Sequence, residues 1–425
     1  VRWLRAVTRF GGTHSPSPNF GLELAVARTS DADRAGLDLS SLDVIVNGAE
    51  PIRRATEERF VAAFRPHGLG ARVITHAYGM SEATAKITSE PPDRSPPRFV
   101  RVRKSAYEAG RVELANAAEP GLEVASNGET VGDTVVRVVD PTTRQALGED
   151  RVGEVWVAGG TVAEGYHDAP EATEATFRAR TADGEGPFLR TGDLGFLHDG
   201  ELYLSGRLKD LVILRGENHH PQDLEWAVEQ AHPAVRAGGT VAFAVPTDAG
   251  EGLAVVAEID PREAPDAVLV ALRGALSAHG VSARTLLLVP PRTVPKTSSG
   301  KLQRSRAREL FVAGRLPALG RADAPRVEAS HSDGGDLVKT LKDASPRRRR
   351  KLLTADLADR VGPLVGLAPD DVPRDMPLRD LGLDSVTAVE LIEGLGRDLG
   401  ITVAGTVLFD HPTIEALVEH LLESR

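Results

Sequence analysis

Residues 190–221, RTGDLGFLHDGELYLSGRLKDLVILRGENHHP, constrain this chain more than any other stretch. Two short β-forming runs flank Asp199-Gly200, a dipeptide suited to a two-residue hairpin turn. Thr191-Gly192-Asp193 lies ahead of the turn, and Gly206-Arg207-Leu208-Lys209-Asp210 lies beyond it. A carboxylate able to hold hydroxyls and a forked cation therefore fall within one compact unit. Alone, the TGD tripeptide is a weak signal, because many turns use it.

Two earlier tips have the same character. Asn47-Gly48-Ala49-Glu50-Pro51 follows the apolar run Val44-Ile45-Val46, where a glycine lets a flat ring approach the backbone and a carboxylate can orient it. His76-Ala77-Tyr78-Gly79-Met80-Ser81-Glu82-Ala83-Thr84 follows Val73-Ile74. Tyr78 can stack or donate, Ser81 and Thr84 can bond phosphate oxygens, and Glu82 suits magnesium, a hard cation that takes oxygen ligands. Each string by itself reads equally as a turn; their order and spacing carry the inference.

Periodicity organises the remainder. Residues 1–95 read as α/β, with buried strands at 44–46 and 73–74 and a helix over 51–64 opened by Pro51. Short alternating runs at 134–139, 152–157 and 201–204 read as a β-rich subdomain in which Trp156 and Tyr166 pack. Beyond Gly206 the pattern predicts a compact α/β unit, with helices at 221–231 and 267–279 and strands at 240–245, 253–259 and 285–289. Its closing string, Lys296-Thr297-Ser298-Ser299-Gly300-Lys301, lacks the spacing of a GxxxxGK[ST] phosphate loop, but it presents a lysine that can reach a developing negative charge.

Residues 316–350 read as a linker ending in Arg347-Arg348-Arg349-Arg350, with Lys351 next; the basic run is a solvated hinge or the charged start of a helix. Helical periodicity then returns. Leu381-Gly382-Leu383-Asp384-Ser385 precedes Val386, Val389, Ile392 and Leu395, so Asp384 or Ser385 can cap a helix whose N-terminus favours a phosphodiester on Ser385. From Lys351 to Arg425 there are 14 acidic and 6 basic residues, which is −8 of the chain's net −10. That acidity argues against nucleic-acid binding and for partners with basic faces.

No cysteine occurs in the 425 residues, so thioester chemistry needs a thiol supplied from elsewhere. No apolar run approaches the roughly 18 residues that span a bilayer, and no signal-peptide layout opens the chain. The expected location is the cytoplasm, without a membrane span.

On these motifs residues 1 to about 315 resemble the C-terminal two-thirds of an adenylate-forming enzyme, and PNFGLEL, NGAEP, HAYGMSEAT, LRTGDLGF and NHHPQD are most similar to the fatty acyl-AMP ligases. Residues 351–425 resemble an acyl or peptidyl carrier, with LGLDS as the phosphopantetheine attachment motif. The fold this implies is α/β multidomain: residues 1–205 as the large-domain remainder with its β-rich subdomain, 206–315 as a mobile α/β small domain, 316–350 as linker and 351–425 as an all-α four-helix carrier. The cofactors implied are ATP/AMP, Mg2+ and 4'-phosphopantetheine.

By the same resemblance Gly48, Ala49 and Glu50 border adenine, Tyr78 stacks nearby with Gly79 and Ser81 in the nucleotide site, and Glu82 binds magnesium. Asp193 holds the ribose hydroxyls with help from Arg207, Lys209 is the hinge, and Lys301 bonds the carboxylate, the ribose side and the α-phosphate. Ser385 carries the pantetheine. The small domain turns about Lys209 to admit the thiol, and residues 91–113 are the candidate for an extra segment that hampers this turn for free coenzyme A. Residues near His14, Asn19 and Phe20 are expected to line the acyl pocket.

The implied partners are a fatty acid, a phosphopantetheinyl transferase and downstream polyketide or peptide synthase domains. The family's Gly, Ser and Thr-rich loop for the β- and γ-phosphates precedes the tyrosine string, and residues 1–77 contain none. The chain is thus expected to be a fragment of a larger protein or a relic. The alternatives are a carrier with an inert adenylation domain, an acyl-coenzyme A ligase and an amino-acid-activating domain.

Overall fold

The computed structural model describes residues 1–91, 98–116, 119, 121–214, 217–247, 250–297, 300–323, 341, 344–365, 369–378, 381, 391–392, 395–396, 398–401 and 407–423. Two compact units emerge. One comprises Val1–Asp223 with Lys296–Ser305, and the other Leu224–Pro295 with Arg306–Arg425.

The first unit is built on β1 (His14–Pro16), β2 (Val44–Gly48) and β3 (Ile74–Tyr78), paired parallel, followed by β4 (Thr88–Ser89) and the strand Glu129–Thr130, each antiparallel to its neighbour. Helices Arg2–Phe10, Asn19–Ala27 and Arg54–Phe64 bury Leu4, Leu22, Phe60 and Phe64 with Ile45 and Ile74. Phe60 and Phe64, four apart, fall on one helix face. The helix expected from Pro51 starts at Arg54 instead. Asn19 Oδ1 accepts from the Arg53 N–H at 3.0 Å, which holds the preceding residues extended.

A second sheet orders Val135–Val139, Gly153–Ala158, Leu189–His198 and Glu201–Arg207 antiparallel, as the alternating runs predict. His198 pairs with Glu201 around Asp199 and Gly200, both at positive φ (49° and 76°), the geometry of a two-residue hairpin turn. Trp156 is fully buried, as expected. Residues 91–113 supply the strand Phe99–Arg103, which pairs with Gly121–Ala125, and the helix Lys104–Glu108. The hairpin Val212–Leu214 with Glu217–His219 also belongs to this unit, which runs to Asp223.

The second unit carries the sheet Val235–Thr247, Gly250–Ile259, Ala283–Val289 and Gly320–Asp323, with helix Pro265–Ala278 crossing between the parallel middle strands. The strand Gly320–Asp323 corrects the linker expected from 316. It pairs with Ala283–Val289, and Thr285 donates to Asp323 Oδ1 at 2.6 Å. The helix Pro346–Val365 absorbs the basic run. Arg349 donates to the Leu341 carbonyl at 2.7 Å and Arg350 pairs with Glu419. Leu353, Leu357, Val361, Ile392, Leu395, Ile414 and Leu417 form its core. Leu383, Asp384 and Ser385 lie outside the described residues. Among the described residues no helix is long and apolar enough to cross a membrane.

Gly79 gives the fold a sharp test. A Cβ built there would lie 1.8 Å from the Ala85 carbonyl oxygen and 2.8 Å from Lys86 Cα, both backbone atoms. Gly79→Ala is expected to cost about 3 kcal/mol by forcing the loop apart. Calorimetry of the full chain should then show the first unit melting roughly 10 °C lower; a fall of under about 2 °C would mean that the loop yields freely.

Candidate active site

Three chain segments far apart in sequence meet at the ends of β2 and β3. The first tip continues β2. Gly48 is required by a close backbone approach, because its Cβ would lie 2.2 Å from the Ala77 carbonyl oxygen, and Ala49 stands at φ 67°. Glu50 turns back to accept from the Phe20 N–H. Burial lifts the Glu50 carboxyl above its ordinary value, against the opposing effects of that N–H and of Lys301 and Lys296.

The second tip continues β3. The Tyr78 hydroxyl donates to Asp193 Oδ2 at 2.7 Å across 115 residues of sequence. Arg207 Nε donates to Asp193 Oδ1 at 2.7 Å, from the position directly paired with Asp193 in the hairpin. Tyr78, Asp193 and Arg207 thus form one linked trio. Burial and then the charge of Asp193 hold the Tyr78 phenol well above its ordinary value, which keeps it a donor. Burial works against the Arg207 charge, but Asp193 outweighs it and raises that guanidinium.

Beyond Gly79, Ser81 and Glu82 lie in a short 3-10 turn, and Thr84 and Ala85 carry the chain back at positive φ. Glu82 Oε1 accepts from the Tyr166 hydroxyl at 2.9 Å, and the Ala163 N–H donates to the Glu82 carbonyl at 2.9 Å. Tyr166 was expected only to pack. Its ring does meet Phe177 edge-on, yet it is 41% exposed and its hydroxyl orients the carboxylate assigned to magnesium. Tyrosine's apolar body and polar tip allow both, and the sequence held no signal to separate them.

The third segment is the loop Lys296–Ser305. Lys296 bridges Leu302, the Thr297 N–H donates to the Lys301 carbonyl at 2.8 Å, and the Lys301 N–H donates to Thr297 Oγ1 at 3.0 Å. Gly300, at φ 88°, lies against the Phe20 ring, where a Cβ would approach Cζ to 2.9 Å. Arg304 pairs with Asp210 at 3.3 Å, beside the expected hinge Lys209 in the turn Leu208–Asp210. The exposed Lys301 is thereby brought to the Glu50 tip, among the residues of the first unit.

Residues 104–108 meet the Asn218-His219-His220 string. Asn218 donates to the Glu108 carbonyl at 3.4 Å, His219 Nδ1 lies 3.5 Å from Glu108 Oε1, and the Tyr107 and His220 rings are 5.3 Å apart. Burial lowers His220, which keeps it neutral against the tyrosine.

The donor set suits a nucleotide: a buried carboxylate next to a guanidinium for vicinal hydroxyls, and a mobile-length lysine for phosphate. Among the described residues no three His, Cys, Asp or Glu side chains converge on a metal. A single carboxylate such as Glu82 still fits magnesium, which usually keeps waters and substrate phosphates as its other ligands.

Residues 1–167 match the AMP-binding enzyme family, residues 209–320 the AMP domain of the Disco-interacting protein 2-like family, and residues 355–421 the phosphopantetheine attachment site family. The chain is similar to a medium-chain-fatty-acid–acyl-carrier-protein ligase of Moorena producens, 40% identical over 325 residues, covering 74% of this chain and 55% of the relative. Among solved structures it is similar to the fatty acyl-adenylate ligases from E. coli and L. pneumophila (TM-score 0.66, 28% identity, 74% of this chain and 55% of that one). The McyG A-PCP structure with phenylalanyl-adenylate shares the fold over 99% of this chain and 60% of its own (TM-score 0.64, 23% identity). The chain spans about half the length of the curated relatives it matches.

Proposed function

We infer that this chain, an adenylate-forming AMP-binding enzyme region joined to a phosphopantetheine attachment domain, activates a fatty acid with ATP and passes the acyl group to its own carrier. The linked trio of Tyr78, Asp193 and Arg207 is the observation that carries this reading, because it assembles a ribose-binding carboxylate from motifs 115 residues apart. The fatty-acid substrate is supported by the names of the relatives, which act on medium-chain fatty acids or form fatty acyl-adenylates.

In the first step a carboxylate oxygen bonds to the α-phosphorus of ATP and the bond to pyrophosphate breaks. Two anions must meet, and the role read for Lys301 is to offset charge as it grows on the carboxylate and α-phosphate. Asp193 holds the ribose hydroxyls with help from Arg207, while Tyr78 and Arg207 keep its carboxylate in place. Gly48, Ala49 and Glu50 border the adenine, while Gly79 and Ser81 shape the phosphate side. Magnesium, oriented by Glu82 and Tyr166, would neutralise the phosphates.

In the second step the acyl carbon leaves AMP for sulfur. Ser385 would hold a pantetheine arm, which would supply the thiol that this cysteine-free chain lacks. The small domain turns about Lys209 to withdraw Lys301. The grip of Tyr107 and Glu108 on residues 218–220 supports a role for residues 91–113 in resisting that turn when the thiol is free coenzyme A. A cytoplasmic setting supplies the transferase and ATP, and a polyketide or peptide synthase would consume the thioester.

The test is the intact mass of the full chain after treatment with a phosphopantetheinyl transferase, then with ATP, magnesium and a fatty-acid mixture. The expected result is one arm followed by one acyl group without free coenzyme A. An arm that never gains an acyl group would overturn self-loading, and release of acyl-coenzyme A would replace the carrier as acceptor.

A further inference from the structure

Asn47 and His76 face each other across the parallel pairing of β2 and β3, just ahead of Gly48 and Tyr78. Both side chains converge on one carboxylate from the helix Arg54–Phe64. Glu57 Oε1 accepts from Asn47 Nδ2 at 2.7 Å and lies 2.9 Å from His76 Nε2. On the far side of the ring, Nδ1 lies 2.8 Å from the Ser126 carbonyl oxygen and 3.6 Å from Glu90 Oε2. A carbonyl oxygen only accepts, so Nδ1 carries a proton. The 2.9 Å contact between Nε2 and Glu57 also holds a proton, and with it on Nε2 the ring is an imidazolium between two carboxyl groups.

The setting is dry. His76 is 0% exposed, Glu90 1% and Glu57 6%, with the Phe99 ring edge-on at 5.3 Å. Glu90 is itself fixed by the His76 and Arg98 N–H groups at 3.0 and 2.9 Å. Among the described residues Glu201 and Arg98 also face the cluster and pair at 3.3 Å, with Ser126 Oγ donating to Glu201 at 2.8 Å. Burial pulls His76 toward neutrality, but Glu57 and Glu90 outweigh it and raise it above the ordinary imidazole value.

We propose that Glu57 and His76 form a buried, charged clamp that positions both nucleotide tips, Gly48-Ala49-Glu50 and Tyr78-Gly79, without touching the nucleotide. The proposal rests on the nucleotide reading of those tips. Each clamp bond joins buried groups, and together they tie β2 to β3 within two residues of the strand ends, Gly48 and Tyr78. These are positioning residues.

The test uses the full chain and two independent readings. Nitrogen-15 NMR of labelled histidine should show both His76 ring nitrogens protonated to higher pH than in free imidazole. Glu57→Gln keeps the acceptor oxygen and removes the charge. It should bring the His76 transition to lower pH and raise amide exchange at Gly48, Ala49, Tyr78 and Gly79 about tenfold. Exchange in the strand Gly153–Ala158 of the same unit should stay unchanged, which confirms that this unit is folded. Should Glu57→Gln fail to fold, Asn47→Ala breaks one clamp bond and is read the same way.

With ATP, the KM of either variant should rise more than kcat falls. A neutral His76 in the parent, or tip exchange unchanged within twofold, overturns the clamp. A parent that shows the clamp signatures and binds no ATP overturns the nucleotide reading and leaves the clamp standing.

Discussion

Lys301→Ala is expected to lower acyl-adenylate formation about a thousandfold while leaving the stability of the chain almost unchanged. The size follows from losing the cation proposed to offset the charge that grows as carboxylate and α-phosphate meet, where one well-placed donor is worth about 10²–10³ in rate and a full charge lies at the upper end. The small effect on stability follows from exposure. Lys301 is solvent-exposed, and the loop is held through its backbone, Thr297 Oγ1 and the Asp210–Arg304 pair, none of which the substitution removes. Surface changes of that kind usually cost less than about 0.5 kcal/mol. Lys296→Ala is the control, since Lys296 also acts on Glu50 but opens the loop instead of closing it. Pyrophosphate release measured on the pantetheinylated chain decides the matter. Release from Lys301→Ala at the parent rate, or an equal loss in Lys296→Ala, would remove Lys301 from its assigned role.

How far the sequence could lead depends on the range of the physics involved. The Asp199-Gly200 turn was legible because its two positive φ angles are a local demand met by local residue types. The helix start moved from Pro51 to Arg54 because Asn19, more than thirty residues away, holds the Arg53 N–H. Gly320–Asp323 was invisible as a strand, since four residues cannot show alternation and their pairing with Ala283–Val289 is tertiary. The trio Tyr78, Asp193 and Arg207 could be named from motif order, but its hydrogen bonds could not. Gly48 reads as an opening toward a flat ring; the structure adds that at Gly48, and at Gly79 as well, the neighbouring backbone itself demands glycine. Glu57, His76 and Glu90 carried no pattern at all, because a buried polar cluster is defined only by partners that folding brings together.

Ser385→Ala is expected to abolish gain of the pantetheine arm completely, since alanine has no hydroxyl to form the phosphodiester. The effect is all-or-none, whereas the structural cost is bounded. If Ser385 caps its helix, the loss is about 1 kcal/mol, and the core of Leu353, Leu357, Ile392, Leu395 and Leu417 is untouched. Circular dichroism and the melting temperature of the variant should therefore stay near those of the parent. Pyrophosphate release should continue in Ser385→Ala, because adenylation precedes any need for the thiol. Acyl-adenylate then accumulates with no thioester on the chain. Lys301→Ala has the opposite defect: a loadable carrier without an activating step. Mixing the two variants separates tethered from intermolecular loading. A fused carrier enjoys an effective concentration in the millimolar range, so micromolar mixtures should acylate Lys301→Ala far more slowly than the parent acylates itself. Rapid complementation would mean that the carrier is served by a neighbouring chain, and an arm gained by Ser385→Ala would move the attachment site elsewhere.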